Sequence, residues 1–144
     1  MGKHYQRVLV ALALHESDAG VLERALSVVS ADAELDVLHV CEHHVSRWSA
    51  GAGSGVHNPE MMERESAFPV LKALLARFGV DVSRLHIENG KAADHIDDYA
   101  RRLNADLIVV GGHSKSGWQA HLGSVANAVV NHAPCDVLIV RTRH

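Results

Sequence analysis

The chain has 144 residues, 47% of them apolar, which fits one domain spanning 1–144 around a single buried core. Its 14 Lys and Arg against 17 Asp and Glu, a net charge of −3, exclude the polycationic surface that grips nucleic acid or an anionic membrane without specificity. Cys41 and Cys135 lie far apart with no C-x-x-C spacing, which argues against a disulfide framework or a cysteine zinc site and for buried thiols in a reducing, cytoplasmic compartment.

The first element is the apolar run Val8–Leu14, preceded by Lys3 and Arg7. It is too short for a membrane span, and His15, Glu16 and Asp18 follow at once, so it reads as a strand buried on both faces rather than a signal segment. Leu22, Ala25, Leu26 and Val29 recur at helical spacing, with Ser17 and Asp18 placed to cap the start. A second strand covers Leu35–Val40, and Arg47–Pro59 reads as a polar loop rich in Gly, Ser and Ala. Helical pattern returns over Pro59–Phe78, where Pro69 must kink the helix or divide it.

Leu85 and Ile87 before Asn89-Gly90 give a third strand, and Ala93, Ile96, Ala100 and Leu103 line one face of a third helix, leaving Asp97, Asp98, Arg101 and Arg102 to solvent. Asp106–Gly112 is a fourth strand, Ser124–His132 a last helix and Asp136–Arg141 a last strand. Strict alternation of strand and helix predicts an α/β fold: one doubly wound, five-stranded parallel sheet flanked by four helices, with right-handed crossovers.

In such sheets ligands sit beyond the carboxyl ends of the strands, where strand order reverses. The strand exits here lack the acidic cluster of a phosphoacceptor site, a flavodoxin-like phosphate loop, a G-x-x-x-x-G-K-[ST] loop and a G-x-G-x-x-G turn. The fourth exit, VVGGHSKSGWQAHLGSVANAVV, does offer glycines before a Gly-Ser pair at a helix start, where unpaired N–H groups and the helix dipole favour an anion. Gly111 and Gly112 would let the backbone approach a ligand, and Ser124 would either cap the helix or donate to a phosphate. An ordinary loop with a serine cap explains the same residues equally well.

His113 could donate to a phosphate, but no nucleophile and carboxylate can be assigned around it, so no catalytic residue is named and an enzymatic role is disfavoured. His39, Cys41 and His43 alternate on one side of an extended segment and, together with His44, form the sole cluster with metal-ligand chemistry, for zinc if any metal. A strand-end histidine bonded to backbone is the simpler reading, and no metal is assigned.

The segments RVLVALAL, LDVLHV, ADLIVVGGHS and LGSVANAVVNHAPCDVLIVR, with the Gly90 turn, resemble the universal stress protein family across nearly the whole chain. The resemblance implies a doubly wound sheet of the adenine nucleotide alpha hydrolase-like type. It also implies a homodimer formed through the last strand, here Val137, Leu138, Ile139, Val140 and Arg141. ATP-binding members of that family carry G-x-x-G, nine residues, then G-[ST], and an aspartate at the end of the first strand. This sequence has Ser114 at the second glycine, an interval to Gly123 one residue short, and Ala13 at the aspartate position.

The turn Gly112–Trp118 is more similar to the UspA-like branch, whose founding members do not bind ATP. A nucleotide site, if retained, would draw on Leu12, Ala13, Val40, Gly111, Gly112, His113, Ser114, Gly123, Ser124 and Val125. The resemblance therefore implies a dimeric stress-response protein that acts on unidentified protein partners, with ATP or AMP as the alternative ligand of a degenerate site.

Overall fold

The structure, a computed structural model, describes residues 4–42, 59–112 and 122–141, with the backbone alone for 59–61. Among these residues the elements alternate as β1 (Tyr5–Leu12), α1 (Asp18–Ser27), β2 (Val29–Cys41), α2 (Pro59–Arg77), β3 (Leu85–Asn89), α3 (Ala92–Arg102), β4 (Leu107–Gly111), α4 (Ser124–His132) and β5 (Asp136–Val140). All strand pairs are parallel and the order is β3-β2-β1-β4-β5. The chain therefore winds outward twice from the centre, and the strand order reverses between β1 and β4.

The sheet divides the core into two layers. Val8, Val10 and Leu12 of β1 pack with Val37, Leu107 and Val109 under Val21, Leu22 and Ala25 of α1 and Ala67, Leu71 and Leu75 of α2. Leu9 packs with Leu38, Val40, Ile108 and Val110 under Ile96 and Tyr99 of α3 and Ala126 and Val129 of α4. This double covering is why β1 reads as an unbroken apolar run, since neither set of alternate side chains meets water. The entry of β1 is pinned by Asp106, whose carboxylate accepts from the Gln6 and Arg7 N–H groups at 2.9 and 3.0 Å.

Several sequence expectations need adjusting. β1 stops at Leu12 instead of Leu14, because Leu14 takes a left-handed backbone (φ 60°) that no strand accommodates. Val29 opens β2 instead of closing α1, whose last turn ends at Val28, and β2 runs six residues upstream of Leu35 through an irregular stretch beside Tyr5. Pro69 does not divide α2, because Phe68, Pro69 and Val70 sit on the exposed side, where water can take the carbonyl that the missing N–H leaves unpaired. Asp98, Arg101 and Arg102 face outward as expected, while Asp97 is half-buried with its Oδ1 shielded from solvent; the pairs close at 3.1 Å (Arg101–Asp97) and 3.0 Å (Arg102–Asp98).

Candidate nucleotide cavity

A cavity of about 1050 Å³ opens at the carboxyl ends of β1, β2 and β4, at the point of reversal. Of the residues expected to form a nucleotide site, Leu12, Ala13, Val40, Gly111, Gly123, Ser124 and Val125 line it together. His113 and Ser114 lie outside the described residues, as do Trp118 and His43.

Gly112 belongs elsewhere. It does not line the cavity, and a Cβ placed on it would meet Ile139 Cγ2 at 2.6 Å, so its lack of a side chain serves the seam between β4 and β5.

The β1–α1 connection forms one wall and is organised by a residue that the sequence pattern assigned only to capping. Asp18 is 6% exposed, and its two carboxylate oxygens accept from Ala13 N–H at 3.0 Å and His15 N–H at 3.2 Å. These bonds fold the loop back onto α1 and fix Leu14 in its unfavourable backbone region. Burial is the largest influence on this carboxyl and raises its pKa, while the N–H groups of residues 13–15 and nearby His39 pull it down. Ser17 holds the N-cap position without capping through its side chain; its hydroxyl lies 2.8 Å from His15 Nδ1, which also accepts the Ser17 N–H at 3.1 Å.

His39 forms the floor, 7% exposed, with Nδ1 2.8 Å from the Leu12 carbonyl. Since a carbonyl can only accept, Nδ1 carries the proton, and in the neutral ring Nε2 is an acceptor. This is the backbone-bonded strand-end histidine that the sequence suggested. Cys41 shares the face of His39, and burial, then the charge of Glu63, push its thiol pKa up. Among the described residues no group of three His, Cys, Asp or Glu side chains is placed to hold a metal ion.

The starts of α3 and α4 both face the cavity, and they differ. Glu42, beyond the end of β2, places a carboxylate oxygen 2.8 Å from Ala92 N–H at the start of α3, so an internal anion already occupies that end. α4 begins at Ser124 with Gly123 as its N-cap and no side-chain capping bond. Ser124 is thus the first helical residue and not the cap, and Gly123, Ser124 and Val125 at the α4 start line the cavity. Glu42 and Asp18 both escaped the strand-exit pattern because each acts through backbone N–H groups that only the folded chain brings near.

β5 is an edge strand. Val137 and Ile139 pack on the α3–α4 layer and Leu138 and Val140 on the α1–α2 layer, yet Val137, Leu138 and Ile139 stay half-buried and Arg141 is exposed. No helix among the described residues is long and apolar enough to cross a membrane.

The comparisons agree with this geometry. Residues 4–141 match the family model described as the universal stress protein family. The chain is similar to the universal stress protein A homolog 2 of Coxiella burnetii, 35% identical over 143 residues that cover 97% of each protein. Among solved structures it resembles universal stress protein UspA from Lactobacillus plantarum (TM-score 0.71, 24% identity, 97% and 100% of the two chains). It also resembles a universal stress protein crystallised in complex with cAMP (TM-score 0.66, 22% identity, 98% and 100%). With its doubly wound five-stranded sheet and a family match over nearly its whole length, the chain belongs to the universal stress protein family, as a stress-response protein related to the A-type members.

Proposed function

We propose that this protein works in the cytoplasm as a homodimeric stress-response module acting through protein contacts, and that its cavity is a degenerate nucleotide site without tight affinity for ATP. The observation that carries this reading is the wall formed by the end of β1. The Ala13 side chain offers no acceptor to a ribose or base, and the buried carboxylate nearby, Asp18, is committed to the N–H groups of Ala13 and His15. Titration calorimetry with ATP and magnesium is the test: no saturable heat below about 100 μM ATP is expected, and a low-micromolar Kd overturns the reading.

A second reading, an ATP or AMP sensor, is favoured by the uncapped α4 start beside a cavity large enough for a nucleotide. The cAMP complex of a structural relative points the same way. Under that reading saturating AMP raises the melting temperature, since a ligand that binds only the native state stabilises it.

Dimerisation through β5 is supported by its edge position and its half-buried apolar side chains. Leu138→Lys places a charge in that seam, so sedimentation should shift from dimer to monomer while the circular dichroism spectrum is retained. A wild-type protein that sediments as a monomer at about 100 μM removes the dimer from the proposal.

A further inference from the structure

The sheet ends in β3 on one side and β5 on the other, and the outer backbone groups of the two edges differ. Gly90 N–H, just past β3, donates to the Cys41 carbonyl of β2 at 3.1 Å. Backbone direction alternates along a strand, so His86 and Glu88 also turn toward β2, while Leu85, Ile87 and Asn89 turn their N–H and C=O groups outward. An outward row of this kind is a template for another strand.

On β3 much of that row is taken up by the chain itself. Leu85 N–H donates to the Val82 carbonyl of the short helical turn before the strand. The Arg64 guanidinium of α2 donates to the Ile87 carbonyl. His95 of α3 places Nε2 2.9 Å from the Asn89 carbonyl, and since a carbonyl only accepts, Nε2 carries the proton. Gly90 makes room for that ring, because a Cβ on it would lie 3.1 Å from His95 Nε2. On β5, Val140 turns its carbonyl to Gly112 N–H of β4 at 2.9 Å, so Val137 and Ile139 turn outward, and no described residue bonds to their outward groups.

We propose that Arg64 and His95 seal the β3 edge, so that a second copy of this chain pairs at β5 alone and assembly stops at a closed pair. With two open edges each added copy would present a fresh one, and the sheet would continue as an open row of molecules. This rests on the reading of β5 as the dimer seam and adds what keeps the opposite edge out of such pairing. Arg64 and His95 are then specificity-determining residues for self-association, each acting through one bond to an edge carbonyl.

Sedimentation of the full chain tests this on three proteins: wild type, Arg64→Ala/His95→Ala, which loses both donors, and Arg64→Lys/His95→Gln, which keeps a donor at each position. At about 100 μM the double alanine protein is expected to reach at least about twice the wild-type mass and to grow with concentration, with its circular dichroism spectrum retained. The Lys/Gln protein is expected to match the wild type. Equal masses for the wild type and the double alanine protein, or equal growth of the Lys/Gln protein, overturns the proposal. Where the double alanine protein does not fold, Arg64→Ala and His95→Ala are read singly against the same criterion. A wild-type monomer removes the dimer seam and leaves this comparison standing, because growth confined to the proteins without donors still reports that β3 is sealed.

Discussion

Replacing Asp18 by alanine is expected to lower the stability of the protein by about 2–4 kcal/mol, since it leaves the N–H groups of Ala13 and His15 without an acceptor in a part-buried loop. The loop also loses what holds Leu14 at φ 60°, a backbone region that costs on the order of 1 kcal/mol for a side chain with a Cβ. Asp18→Asn is the finer probe. The two N–H groups use different oxygens, and an amide has one, so the second N–H would face an NH₂ group and roughly half of the loss is expected.

The pH dependence of that comparison has a definite sign. Burial raises the Asp18 pKa above its unfolded value of 3.8, so the folded protein holds a proton that the unfolded chain has already released. The contribution of this proton to stability is fully present below 3.8 and is lost as pH rises through the folded value. The amide in Asp18→Asn does not titrate. The deficit of the asparagine variant should therefore be largest in acid and shrink as pH rises, measured by urea unfolding at a series of pH values. A deficit that widens with pH would mean that the N–H bonds outweigh burial and that Asp18 is held as a preferred carboxylate.

What the sequence revealed and what it withheld divide along physical lines. Periodicity reports burial averaged along an element, so the two-sided covering of β1 and the outward charges of α3 were legible, and the strand exits followed from topology. Leu14 and Val29 were misplaced for one reason: both are apolar and continue the pattern of the element before them, and hydrophobicity carries no information about a φ of 60° or the end of a helical turn. Leu12, Ala13, Val40, Gly111, Gly123, Ser124 and Val125 come together at the cavity because position in the fold dictates them, whereas Gly112 does not join them. The roles of Asp18 and Glu42 were not legible, because an acidic residue near a helix start has many uses, and its partners, Ala13 N–H or Ala92 N–H, depend on the path of the loop. For Glu42 the partner lies 50 residues away.

Gly112 makes the same point from the other side, because a glycine in a phosphate-loop pattern proves to be a packing requirement. Gly112→Ala is expected to destabilise the protein by about 1–3 kcal/mol, because the new methyl would lie 2.6 Å from Ile139 Cγ2, a contact that real Cβ atoms do not make. Relief is available only if β5 shifts. Gly112 N–H donates to the Val140 carbonyl at 2.9 Å, so such a shift would loosen the last link between β4 and β5. Removing the obstructing methyl separates this account from a ligand role. In Ile139→Ala the Cγ2 atom is gone, so adding Gly112→Ala should cost little in that background, giving a coupling of at least about 1 kcal/mol in the double-mutant cycle. Urea unfolding of the four proteins without ligand measures it. Additive losses would mean that the 112–139 contact relaxes freely, and the glycine would then need another explanation. If the coupling is as large as the geometry implies, substitution at Gly112 will also weaken any dimer built on β5, because the strand that pairs across the interface is the one that the methyl displaces.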